Sequence, residues 1–162
     1  MADLAANQIH ETRPRSGYAT YPIANGVTLF PGALVSLEAG YLNHYVDGAT
    51  DVFVGVCLGD AIGISPGAAL TGNTSGTPVP EARVDESGVT LMHLDVAGTP
   101  TQAKVGDPVY ATTSNVADLT LDASAGGDAD HPVGYLSRFY GTDDVDVTLF
   151  TPAEFLAAVH IS

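Results

Sequence analysis

The sequence predicts an all-β protein, a compact β-sandwich or barrel-like body with an extended N-terminal arm and one short C-terminal helix. Three observations carry the prediction. The 162 residues include 18 Gly and 10 Pro, a composition that favours many turns over long elements. Sustained helical periodicity is absent until the last dozen residues. Short runs of Val, Leu, Phe and Thr recur between turn residues, as strands require. A chain of this length fits one domain and buries roughly 70% of its unfolded surface.

Residues 1–25 show neither clean alternation nor a helical stripe. Arg13-Pro14-Arg15-Ser16-Gly17 breaks regular structure, while Tyr18 and Tyr21 offer aromatic anchors. This stretch reads as an extended arm that docks. Residues 26–162 read as a single β-rich domain. Val27-Thr28-Leu29-Phe30 makes a short strand stopped by Pro31-Gly32, and Leu34-Val35-Ser36-Leu37 makes the next. Residues 41–46 pair back, and residues 51–58 form a long apolar run expected as a buried central strand. Residues 59–81 differ, because Gly63, Pro66, Gly67, Gly72, Gly76, Pro78 and Pro80 punctuate them. That stretch exceeds an ordinary loop and is expected to be mobile or ordered by a neighbouring subunit. Strands return from Arg83, over residues 89–96, 108–112, 118–121, 132–139 and 144–150. His93 and Asp95 share one face of the first of these. Thr151-Pro152-Ala153-Glu154 is a capping box with Pro at the first helical position. The helix that follows, with its Phe155, Leu156 and Val159 stripe, is expected to close one end of the body.

Two passages are alike. Gly32 and Val35 align with Gly106 and Val109 at a common offset, and Val54-Gly55 and Val133-Gly134 follow each at slightly different distances. Two related β-layers, about residues 26–60 and 83–150, and a chance match among common residues are both open readings.

Charge and composition exclude several functions. Nineteen acidic side chains against five Lys or Arg give a formal net charge of -14, which repels a phosphate backbone, so no nucleic-acid partner is expected. No apolar run is long enough to span a bilayer, and the first residues lack the pattern of a signal peptide. Cys57 is the single cysteine, so no internal disulfide forms, and its apolar surroundings suit a small buried hydrophobe.

Catalytic candidates are weak. Asp128, Asp130 and His131, and likewise Asp143, Asp144 and Asp146, offer ligands for a hard cation. Neither group has EF-hand spacing and both fall at turns, so solvated turn residues are expected. His10, His44, His93, His131 and His160 never adopt His-x3-His spacing. Gly63-Ile64-Ser65-Pro66-Gly67 has the outline of a nucleophile elbow, but Pro66 lacks the N–H an oxyanion hole needs. Ala117-Asp118-Leu119 and Arg15-Ser16-Gly17 resemble two motifs of trimeric dUTPases, in reversed order. No enzyme activity, cofactor or metal is expected. A carbohydrate-binding surface domain is the other alternative, although the chain has no Trp for sugar stacking.

The C-terminal half carries a resemblance. Gly88-Val89-Thr90-Leu91, Lys104-Val105-Gly106-Asp107-Pro108-Val109-Tyr110, Asn115-Val116, Pro132-Val133-Gly134-Tyr135-Leu136 and Val145-Asp146-Val147-Thr148-Leu149 follow one another. That succession resembles the capsid cement, or head decoration, proteins of tailed bacteriophages. The match covers roughly residues 83–150, and the insert at residues 59–80 departs from the family's short form. The resemblance implies a non-enzymatic virion protein on the outer capsid surface, with the major capsid protein as partner and a homotrimer as its assembly. Arg13, Arg15, Tyr18 and Tyr21 are, by their local chemistry, the candidate capsid contacts.

Overall fold

The computed structural model describes residues 17–46, 52–60, 69–123 and 131–161. The run Phe53-Val54-Gly55-Val56-Cys57 in β5 (Val52–Asp60) is buried throughout, as a central strand without polar alternation should be. β3 (Leu34–Glu38) and β7 (Glu81–Asp85) flank it. Outside them lie β4 (Tyr41–His44) and β1 (Tyr18–Pro22), completing a five-stranded sheet in the order β1-β7-β5-β3-β4. A two-stranded ribbon of β2 (Thr28–Leu29) and β6 (Leu70–Thr71) joins the same core through Leu29 and Leu70. The second sheet has β8 (Thr90–Leu94), β9 (Pro108–Ala111), β10 (Leu119–Thr120), β11 (Gly134–Gly141) and β12 (Asp144–Leu149) in the order β10-β9-β11-β12-β8.

The two sheets share one topology. Taken in chain order, β1, β3, β4, β5 and β7 stand where β8, β9, β10, β11 and β12 stand. Register agrees as well. Val35 faces Gly55 in the first sheet, and Val109 faces Gly134 in the second. The Gly32 N–H donates to the Cys57 carbonyl at 2.7 Å and the Gly106 N–H to the Leu136 carbonyl at 2.8 Å. Each sheet then shifts register at the next step, between Cys57 and Gly59 or between Leu136 and Arg138. The outer edges of each sheet also meet in parallel, Ile23 bridging to Leu42 and Ala97 to Thr120. Each sheet therefore curls into a small barrel-like body.

The interiors match too. Ile23, Val35, Leu42, Val54, Cys57, Ala82 and Val84 fill the first barrel. Val96, Val109, Leu119, Val133, Leu136, Val145 and Val147 take the corresponding places in the second. Two glycines are dictated by close approach. A Cβ on Gly55 (φ +143°) would lie 2.0 Å from the Asp85 carbonyl oxygen, and one on Gly134 would lie 2.4 Å from that of Thr148.

The barrels stack through the outer face of the first. Leu34, Phe53 and Val56 point away from their own interior and join the second core, together with Phe155 of α1 (Pro152–Ile161). The Leu34 N–H donates to the Ser114 carbonyl at 2.8 Å. Pro108 and Pro132 hold, in the second barrel, the places of Leu34 and Phe53. The capping box forms: the Thr151 N–H donates to Glu154 Oε2 at 2.7 Å and the Glu154 N–H to Thr151 Oγ1 at 3.3 Å.

Several expectations need correction. The body starts before residue 26, because Tyr18–Pro22 is already a strand paired with β7. Residues 69–81 are ordered by their own chain: Gly26 donates to the Gly72 carbonyl, Gly72 to that of Val27, and Ile23 to that of Pro80. Residues 61–68 lie outside the described ones. The strand expected over 118–121 is the shorter β10, because Asp118 closes a 3-10 turn in which the Asn115 side chain accepts the Ala117 N–H. The helix lies across the β5 face, with the Phe155 ring 5.8 Å from that of Phe53. Leu156 of its expected stripe is exposed. No helix among the described residues is long and apolar enough to cross a membrane.

Candidate functional site

Strand alternation sorts the side chains along the β1–β7 edge. Ala82 and Val84 of β7 turn inward, so Glu81, Arg83 and Asp85 turn out. On β1, Tyr18 is 47% exposed and sits opposite Asp85. The Arg83 guanidinium lies over the Tyr18 ring, 4.4 Å from its centroid, where the ring quadrupole attracts it.

The four expected contact residues fare differently. Arg13 and Arg15 lie outside the described residues. Tyr18 is outward and accessible. Tyr21 packs against the first core and its hydroxyl donates to a Glu86 carboxylate oxygen. Burial, then the hydrogen bond and the charge of Glu86, push its phenol up to about 12. Tyr21 is thus a structural pin. Arg83 was missed by sequence reasoning; its signal was the Glu81-Ala82-Arg83-Val84-Asp85 alternation.

The remaining described cations are engaged. Lys104 Nζ donates to the Gly98 carbonyl at 2.6 Å, and Arg138 donates to the Tyr140 hydroxyl at 3.2 Å. Arg83 makes no hydrogen bond or ion pair among the described residues. The acids beside it are turned to other donors. Asp85 accepts from the Ser87 N–H at 3.0 Å and from its hydroxyl, and Glu86 accepts from Tyr21.

Two further clusters face solvent. At the seam between barrels, Phe30, Pro31, Ala33, His44, Ser114 and Val116 line a mainly apolar groove of about 340 Å³. His44 Nε2 donates to the Thr28 carbonyl at 2.9 Å, which leaves Nδ1 buried and unpartnered. On the second sheet, His93 occupies a bulge with φ +57°. Its ring Nδ1 donates to Asp144 Oδ1 at 2.8 Å and stacks on Tyr140. Asp146, expected as a solvated turn residue, is only 5% exposed. Two donors meet it there, the His93 N–H at 3.1 Å and the Tyr140 hydroxyl at 3.1 Å, and Arg138 in turn donates to that hydroxyl. This network satisfies itself and holds the bulge in place.

Asp118 Oδ2 accepts from Thr113 Oγ1 at 2.6 Å within its turn. Asp128, Asp130 and the 63–67 passage lie outside the described residues. Burial pushes the Cys57 thiol up. Among the described residues, no three His, Cys, Asp or Glu side chains are grouped to hold a metal. No protein-family model, curated protein or solved structure matches the chain.

Proposed function

We propose that this chain is a structural virion protein that binds the outside of an icosahedral phage head and stabilises the expanded capsid by bridging neighbouring capsomers. One observation carries the reading. The ordered passages that resemble cement proteins, from Gly88 to Leu149, coincide with one complete barrel, β8 to β12. The resemblance thus covers one whole sheet and not scattered strands.

The physical logic is linkage. A protein that binds only the mature lattice stabilises it by mass action, about 2.7 kcal/mol per site at one hundred times the dissociation constant. Joining protomers, as a homotrimer would, adds avidity without any new kind of contact. In this reading the major capsid protein is the partner, the acidic body faces solvent, and like charge keeps decorated heads apart. The protein itself makes and breaks no covalent bond.

Sedimentation tests the proposal. Purified protein mixed with expanded heads should pellet with them and stay in the supernatant with immature ones. Failure to pellet with any head, or turnover of a nucleotide substrate, overturns it.

A further inference from the structure

We propose that Arg83, held over the Tyr18 ring on the β1–β7 edge, is the anchor through which the protein grips a partner's carboxylate. The inference rests on the proposed docking role and adds the chemistry of the contact. Charge accounting leads to it. On a chain of net charge -14, a cation without an acceptor is scarce. Lys104 and Arg138 donate to groups of their own barrel. Arg83 is exposed, its guanidinium lies over the Tyr18 ring, and it makes no hydrogen bond or ion pair among the described residues.

Stacking on a ring face engages the guanidinium plane and leaves the in-plane N–H donors available. Those donors form a flat fork that matches a carboxylate in bidentate geometry. The strand pairing sets the platform, because Tyr18 sits opposite Asp85 and Thr20 opposite Arg83. Fixing the long side chain beforehand removes part of the entropy that binding would otherwise cost. Tyr and Arg are also the side chains that most often dominate protein interfaces.

Glu81 and Asp85 flank Arg83 on its own face of β7. They raise the cost of approach for a diffuse anion, which a close bidentate contact with the fork offsets. A carboxylate presented on a protein surface, where geometry is already set, overcomes that repulsion. Nucleic-acid phosphate is disfavoured by the surrounding acidity.

The test has two arms. In the first, the side-chain Nε–Hε resonance of Arg83 is followed by NMR while hexaglutamate, hexaglutamine or hexalysine is added. A saturable shift with hexaglutamate alone is expected; followed in the variants by the backbone amide of position 83, it should be lost in Arg83→Gln and weakened several-fold in Arg83→Lys, roughly as loss of the fork requires. Tyr18→Phe should keep the response and Tyr18→Ala should reduce it. In the second arm, Arg83→Gln is compared with wild type for binding to expanded heads, with a drop of about tenfold expected, or ~1.4 kcal/mol. No shift with hexaglutamate, or an equal shift with hexaglutamine, overturns the anchor. So does head binding that is unchanged in Arg83→Gln. If wild type shows the Arg83 shift but ignores every head, the anchor stands and the cement reading falls.

Discussion

At the scale of single residues, two glycines and one tyrosine decide the most. Gly55 and Gly134 lie where β5 and β11 pass under the carbonyls of Asp85 and Thr148, so any side chain there drives backbone apart. Gly55→Ala should cost about 3 kcal/mol or prevent folding, as overpacking and a strained positive φ combine. Gly141→Ala, with nothing within 4 Å, should change stability by less than ~1 kcal/mol. Denaturant midpoints measured side by side check both. Tyr21 gives a pH prediction. Its phenol is raised from 10.0 to about 12 in the folded state, so the folded chain holds that proton more tightly than the unfolded one. The associated stability is complete below pH 10 and is lost as pH rises through about 12. Ultraviolet titration should show a late tyrosine that Tyr21→Phe removes.

At the scale of elements, the C-terminal helix tests local against tertiary forces. Thr151→Ala breaks the capping box and should cost about 1 kcal/mol. Phe155→Ala should cost ~3–5 kcal/mol, because that ring lies against Tyr45, Phe53 and His131. Thermal melts of the two variants separate the effects. Most strands were legible in the sequence because apolar runs ended at glycine or proline, as at Pro31-Gly32 and Gly98-Thr99-Pro100. β1 was hidden because Pro14 and Gly17 dominate its approach, and its partner β7 lies far along the chain. The short β6 was hidden by the glycines around it; its order comes from Gly72, whose bare Cα lets the Ala24 carbonyl approach. The burial of Asp146 could not be read locally, since its donors come from β8 and β11. Arg83 and Tyr18 meet only through strand pairing, so that part of the surface had no contiguous signature.

At the scale of the whole molecule, the equivalence of the barrels explains why the Gly32/Val35 and Gly106/Val109 offset is visible at all. The same turn, the same hydrogen bonds and the same tight crossing are imposed twice. Yet the barrels are not independent, because Leu34, Phe53 and Val56 complete their burial only with Phe155 and the second core. One cooperative calorimetric transition is expected for the full chain. Deleting residues from Thr151 onward should uncover Phe53 and Val56 and split it, the first barrel melting at the lower temperature.

The two prolines of the second barrel bear on what a tandem of like units can do. Units that meet head to tail are prone to run on into a filament, since each newly added one re-creates the surface that received it. Here two prolines oppose a further step. Pro108 has no N–H to offer where Leu34 donates to Ser114, and Pro132 removes the aromatic ring that would receive the next helix. The second barrel should therefore refuse a further unit, and light scattering of a concentrated solution should detect no fibres.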